Sequence, residues 1–381
     1  MKFLKIFGTT LGIITLILLL TVGSYVLYVV IQYDRIQDNT EINVESNKNN
    51  NIEINKELTY TSYNIGFGAY SKDFTFFMDS GYDENGNLLH GHYGKAISKE
   101  DVIKNTNGAI NVIKNLNSDF VALQEVDVKA NRSYKVNQKE MIYNNFKDNY
   151  SSTFALNFHS AYLAYPLHDP HGASSSGLNT LSKYKIIESV RKSYTVSKKF
   201  PDKYMDLDRC FLVNRYDVNN GKQLVLINSH MSAYDEGGTI RHTQAKELTN
   251  YINNEYKNGN YVIVGGDFNH DLLTYNPLYN YNDTNIPYDR NIKRPDWVFN
   301  IFYKDGKTIV DEGFKIVAAD NLPSCRGCER PYTDTSFVTT VDGFIISDNV
   351  DFIEVKTSYD LDNTIFNYSD HMPTTLKFKL K

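Results

Sequence analysis

The chain has 381 residues, 41% of them hydrophobic, and a formal net charge of −5. That apolar content excludes disorder throughout. The acidic balance leaves no basic footprint for tight nonspecific nucleic-acid binding, while brief, local contact by a nuclease stays open.

The first element is apolar. Phe7 to Ile31 is a run of 25 residues without a charge, long enough at helical rise to cross a bilayer. Lys2 and Lys5 precede it, which places the remainder of the chain outside by the positive-inside tendency. A cleaved signal peptide is the competing reading, but its apolar region is shorter and ends in small residues, whereas Tyr25, Leu27, Tyr28 and Val30 continue this one. The sequence therefore predicts an uncleaved anchor in residues 1–36, single-pass in the cell membrane with the bulk of the chain extracytoplasmic. Residues 37–57 are polar and rich in Asn and Glu, and read as a solvated tether. Residues 58–381 read as one domain.

Within that domain strand-like runs recur: 58–66, 118–127, 176–186, 222–230, 260–269, 340–347 and 374–380. Helical patterns cover 98–117, where Ser98 is placed to cap, and 237–258. Residues 67–97 fit neither period and read as an aromatic, Gly-rich wall or lid of a cleft. The stretch 158–177, with His159, His168 and His171, reads as a Gly/Pro/Ser loop, equally open to substrate contact and to a plain surface role. Strands mixed with helices give an α/β (α+β) sheet protein covered by helices. Cys325 and Cys328 are separated by two residues, without a second pair or a nearby His, so a local disulfide or two free thiols are expected, with no catalytic part.

Six of the strands end in, or run into, a polar residue that a core would not choose: Asn64, Glu125, Asn179, His230, Asp267 with Asn269, and Asp342. Asp370 with His371 precede the last strand. Each alone has a plain explanation, since Asn64 suits a turn, Asp127 a helix start, and a lone His is usually a satisfied one. Jointly they suit metal-assisted phosphoester hydrolysis. Carboxylate and amide oxygens favour a hard cation, Mg²⁺ or Mn²⁺, and histidine supplies a positive donor or a proton.

In chain order the segments "YNIG", "LQEVD", "GLNTLSKY", "INSHM", "GGDFNH", "VDGFIIS" and "SDHMP" resemble the endonuclease/exonuclease/phosphatase superfamily over roughly residues 58–381, with "GDFN" and "SDHMP" the most specific. The resemblance implies a two-sheet β-sandwich flanked by helices, DNase I-like, with the site at one edge. By position it implies Glu125 as the main metal carboxylate, Asn64 as a metal ligand or water-mediated partner beside it, and Asp370 in support of the metal. Asp267 resembles the residue that orients or deprotonates water, and Asn269 one that holds water or phosphate. His371 resembles the phosphate-contacting histidine, Asp342 its orienting acid, and His230 the histidine that assists phosphate or leaving group. Asn179 and Arg132 are candidate substrate contacts, although a solvent-facing Arg is the default for Arg132; Arg326 is a candidate for anion recognition. The expected substrate is a phosphate ester of a lipid headgroup, a nucleic acid or a small molecule. A nuclease with the same chemistry, or a catalytically silent binding module of the same fold, are the alternatives.

Overall fold

In the computed structural model, residues 2–83, 85–204, 208–234, 238–275, 302–304, 307–308 and 313–381 are described. Two sheets face each other. One has six strands, in the order Val350–Thr357, Thr374–Leu380, Leu58–Asn64, Phe120–Asp127, Gly172–Ser182, Ser151–Leu163. The other has seven: Thr40–Glu41, Glu188–Ser193, Cys210–Asp217, Gln223–His230, Tyr261–Asp267, Asp342–Ser347, Phe314–Val317. Each sheet contains one parallel pair near its middle, Leu58–Asn64 with Phe120–Asp127 and Gln223–His230 with Tyr261–Asp267. A crossover helix follows the first strand of each pair, Lys99–Leu116 and Thr239–Lys257 respectively.

The alternation of side chains explains the layers. Leu224, Leu226, Tyr261, Ile263 and Phe344 meet Tyr60, Phe120 and Leu376 between the sheets. Their sequence neighbours Val225, Ile227, Val262, Val264 and Ile345 point the other way, onto Ala245, Leu248 and Ile252 of the second helix. On the opposite side Val121 and Leu123 pack on Ile110 and Ile113 of the first helix. Strands buried on both faces read as continuous apolar runs rather than alternating ones. The two-sheet, helix-flanked fold expected from the sequence is the fold observed.

Several details differ from the sequence reading. Residues 37–57 do not form a solvated tether. Thr40–Glu41 pairs with the Glu188–Ser193 strand, Glu45 bridges Ser152, and Ile52 is fully buried between the sheets. The segment is polar on average, but Val44, Ile52 and Ile54 reach the core, and mean composition hides such isolated anchors. The loop expected over 158–177 is mostly strand: Ser151–Leu163 and Gly172–Ser182 pair through it. The first helix is Lys99–Leu116, capped by Ser98, whose Oγ accepts from the Asp101 amide at 3.0 Å. The second spans Thr239–Lys257, residue 237 lying outside the described residues.

The 67–97 segment is a wall. It carries a short hairpin, Ser80–Tyr82 with Leu88–His90. Its rings Phe67, Tyr70, Phe74 and Phe76 bury together against Val102 and Cys328. At the N-terminus Lys2–Ile31 is one helix, long and apolar enough to cross a membrane, with nearly all its side chains exposed.

Truncation of Ile52 separates a packed segment from a tether. Ile52→Ala should cost about 2–4 kcal/mol, as for other buried aliphatic side chains, read from the urea midpoint at unchanged slope. A solvated residue would leave the midpoint where it was.

Candidate active site

The inter-sheet faces are apolar along most of their length and become polar at one end. Following the period of two, Tyr60 and Ser62 lead to Asn64, Ile263 and Gly265 to Asp267, and Leu226 and Asn228 to His230. Sheet register then aligns three of the candidates: His230 stands beside Asp267, and Asp267 beside Asp342. Glu125 breaks the period. The strand register shifts between Leu123 and Val126, and Glu125 has φ +55°. Regular alternation would send it to the helix side with Val121 and Leu123; the bulge re-aims it towards Asn64.

The side chains meet closely. His371 Nδ1–H donates to Asp342 Oδ2 at 2.8 Å, leaving Nε2 3.6 Å from Asp267 Oδ2 and 4.0 Å from Asp370 Oδ2. His230 Nε2 lies 3.6 Å from the same Asp267 oxygen. Asn64 Nδ2 donates to Asp267 Oδ2 at 3.0 Å and reaches Glu125 Oε1 at 3.5 Å. The Asn269 amide donates to Asp267 Oδ1 at 2.8 Å, and its side chain is tied to the Met231 carbonyl. Ser324 Oγ accepts from the Val341 and Asp342 amides, fixing the acid that holds His371. Ser369 Oγ accepts from the His371 amide and donates to the Asn64 carbonyl.

These groups border a cavity of about 640 Å³, which Glu125, His230, Asp267, Asn269, Asp370 and His371 help to line. Asn64 and Asp342 stand just behind the lining, bonded to Asp267 and His371. Asn179 is elsewhere. Its amide donates to Ser152 Oγ and the Thr153 carbonyl inside the six-stranded sheet, so it serves the packing between strands rather than the cavity.

Arg132 is not solvent-facing. It is 6% exposed, gripped through Nε and Nη2 by Asp127 at 3.1 and 2.9 Å, and its guanidinium lies 3.9 Å from the Phe67 ring centre. Its Nη2 is 3.7 Å from Glu125 Oε2. Asp127 is thus the arginine's clamp, not a helix start. Arg326 is likewise buried, donating to the Ser71 and Gly327 carbonyls, which pins the 67–97 wall and leaves it little freedom to grasp an anion. His171 is buried with Nδ1–H donating to the Gly94 carbonyl at 2.7 Å, and His168 stacks on His92.

Two lining residues were not expected at the site. Arg209 Nη1 sits 3.1 Å from His230 Nδ1, just ahead of the Cys210–Asp217 strand, which the sequence did not predict. Both cysteines of the 325–328 pair are free and buried, with Cys325 Sγ 3.5 Å from His371 Nε2.

Electrostatics divides the histidines. For His371 burial works against charge, but Cys325, Asp342, Asp267 and Asp370 push its pKa well above the usual value. The carboxylates are the durable part, because burial pushes the Cys325 thiol up to about 12 and leaves it uncharged at neutral pH. His230 goes the other way: burial, then Arg209, His371 and Arg132, hold it well below the ordinary histidine value. Burial raises Asp267, with His371 pulling it back and Asp342 adding to the rise. Two histidines within reach of one acid thus hold opposite charge states.

The oxygens suit a divalent cation. Burial lifts the Asp370 carboxyl to about 6, opposed by His371 and assisted by Glu125. Two acids that repel each other in a buried cleft are relieved by a hard cation between them. Glu125 and Asp370 are the donors that fit. Asn64 does not fit the ligand role expected of it: its Oδ1 accepts from the Gly66 amide at 2.9 Å, so Nδ2 is what faces the acids. Gly66 has φ +52°, and a Cβ there would fall 2.8 Å from Asp370 Oδ1, so only glycine lets the loop come this close. The Asp267–Asp342–His371 cluster is also close enough to hold an ion, but His371 Nδ1 is already spent on Asp342, so it reads as an ion-pair relay.

The sequence model of the Endonuclease/Exonuclease/phosphatase family matches residues 62–371. The chain belongs to this family. Members are metal-dependent phosphoric ester hydrolases, and the acids and histidines gathered at the cavity fit that chemistry. Solved structures of the same fold include an endonuclease/exonuclease/phosphatase from Beutenbergia cavernae (TM-score 0.52, 15% identity, 85% of this chain and 72% of that one). ANGEL2, a 2',3'-cyclic phosphatase, is similar at TM-score 0.52 and 14% identity over 90% and 99%. Danio rerio TDP2 complexed with a single-strand DNA product is similar at 0.51 and 13% over 85% and 100%. No curated protein sequence matches the chain.

The raised His371 pKa gives a signed expectation for this family member. Activity that needs the imidazolium is present at low pH and is lost as pH rises through the folded-state pKa. Asp342→Asn removes one of the charges holding that proton, so the alkaline limb of kcat/KM should move towards lower pH by about one unit or more. An unmoved limb would show that His371 is not the group titrating.

Proposed function

We propose that the chain is a membrane-anchored, extracytoplasmic, Mg²⁺-dependent phosphoesterase whose catalytic domain takes in the segment from Thr40 onward together with residues 58–381. The observation that carries this reading is the meeting of Glu125, His230, Asp267, Asp370 and His371 at one cavity, with Asn64 and Asp342 buttressing them. The length and exposure of the Lys2–Ile31 helix support the anchor, since a soluble chain would not leave so large an apolar surface in water. Lys2 and Lys5 support the orientation.

Glu125 and Asp370 would hold the cation, which supplies charge neutralisation at the phosphate and leaves room for waters. Arg132, fixed by Asp127 and stacked on Phe67, orients Glu125. Asp267 is the base for the attacking water. Its Oδ1 is occupied by the Asn269 amide, its Oδ2 faces both histidines, and its raised pKa suits proton uptake. His371 holds its proton because Asp342 fixes Nδ1, so Nε2–H is a positive donor aimed at a phosphate oxygen. His230, kept neutral beside Arg209, assists the departing oxygen with Arg209 supplying positive charge. Asn269 presents its backbone and side chain around the water position.

A nuclease with the same chemistry is the second reading, favoured by the fold shared with TDP2, which was solved with a single-strand DNA product. The net charge of −5 speaks against a broad phosphate-tracking surface.

Two measurements test the proposal. Hydrolysis of bis(p-nitrophenyl) phosphate should require Mg²⁺ or Mn²⁺ and vanish in EDTA; activity that survives EDTA contradicts it. Asp267→Asn should lower kcat by about 10²–10⁴, as for loss of a general base, with little change in KM. A normal kcat would remove Asp267 from the mechanism.

A further inference from the structure

The N-terminal helix does not leave the domain as a free stalk. Its last turns lie at the mouth of the active-site cavity, where Tyr25, Val26 and Val29 join the lining. Tyr25 Oη donates to the Tyr162 carbonyl and accepts from the Ala164 amide, both at 3.0 Å. Tyr28 Oη accepts from the Tyr162 amide at 3.2 Å. Just beyond the helix, Tyr33 packs edge-on against Tyr204, and Asp208 receives both Arg35 Nε and the Ile36 amide. The cavity is therefore clamped to the helix end on two sides.

That clamp sets the height of the cavity above a bilayer. The uncharged residues Phe7–Ser24 rise about 27 Å as a helix, close to the thickness of a hydrocarbon core. The next polar-tipped aromatics are Tyr25 and Tyr28, a residue type that settles at headgroup level. The side chains at headgroup depth are thus the ones that border the active site.

The domain surface agrees. Among the described residues outside the helix, the most exposed large hydrophobics are Leu167 (85%), Phe200 (67%) and Tyr165 (66%). Tyr165 and Phe200 line the same cavity, and Leu167 is two residues from Tyr165. Lys198 and Lys199, both exposed, precede Phe200. An apolar tip flanked by lysines fits an interface with lipid headgroups; a nucleic acid would use the two rings for stacking but would leave Leu167 and the apolar helix end at the same rim without a partner.

We propose that the substrate is the phosphate ester of a membrane lipid, taken directly from the bilayer that holds the anchor. This rests on the phosphoesterase reading and names its substrate class. The lipid tails stay in the bilayer beside Tyr165 and Phe200 while the phosphate enters towards His371. Water oxygen bonds to phosphorus, one phosphorus–oxygen ester bond breaks, and the departing oxygen takes a proton to leave as an alcohol.

The test uses the full chain reconstituted with Mg²⁺ in phosphatidylcholine vesicles carrying phosphatidylglycerol, phosphatidic acid or sphingomyelin. Bis(p-nitrophenyl) phosphate and a single-stranded DNA oligonucleotide are assayed in parallel. The expected result is hydrolysis of a vesicle lipid with higher kcat/KM than either soluble substrate. The Tyr165→Asp/Phe200→Asp double variant should lower the lipid rate about tenfold or more relative to the soluble diester, because two apolar anchors are lost. Tyr165→Trp/Phe200→Trp should restore the ratio, which a folding defect would not explain. Hydrolysis of the soluble diester but of no vesicle lipid overturns the lipid assignment and leaves the phosphoesterase reading standing. Preference for the oligonucleotide also overturns it, in favour of the nuclease. Hydrolysis of none of them overturns both.

Discussion

The site depends on strand register. His230, Asp267 and Asp342 lie side by side on three hydrogen-bonded strands, and the pairing that aligns them is the same that aligns the core residues beneath. A slip of one residue would turn every one of these side chains to the helix side and bring apolar neighbours to the cavity. Register is held by the core, since Leu226, Ile263 and Phe344 fill the space between sheets only in this pairing. The folding energy of the sandwich and the geometry of the chemistry are therefore one constraint.

Burying so many ionisable groups costs stability unless each has a partner. Asp127 and Arg132 compensate each other, as do Asp342 and His371. At the site, burial raises Asp370 beside Glu125, where a cation belongs, and Asp267, where a proton is to be received. Two of the positive-φ residues, Glu125 and Asn269, also stand at the site.

Much of this was legible in the sequence because the site lies on long buried strands, whose apolar runs end visibly in acids, amides and histidines. The motifs around Asp267 and His371 carried both the fold and the family. Other features were hidden for physical reasons. The Ser151–Leu163 strand is only half buried, so its second half, with His159 and Ser160, read as loop. Ile52 anchors a segment whose other residues are polar. Arg132 looked exposed because its partner, Asp127, sits five residues earlier and is brought back by the turn between them. Asn179 shares the strand-end signature of a site residue, yet its amide is spent on Ser152 and Thr153. Periodicity cannot say which buried amide faces a cavity and which a neighbouring strand.

The central claim is that one cation and one phosphate meet among Glu125, Asp370, Asp267 and His371. Anomalous diffraction from crystals of the full chain soaked with Mn²⁺ and inorganic phosphate tests it most directly. The account predicts a manganese peak bonded to the Glu125 and Asp370 carboxylates, at about 2.0–2.3 Å as for oxygen ligands of small divalent cations, with a phosphate oxygen against His371 Nε2. A peak held instead by Cys325 and His371, or a phosphate bound away from Asp267, would contradict it.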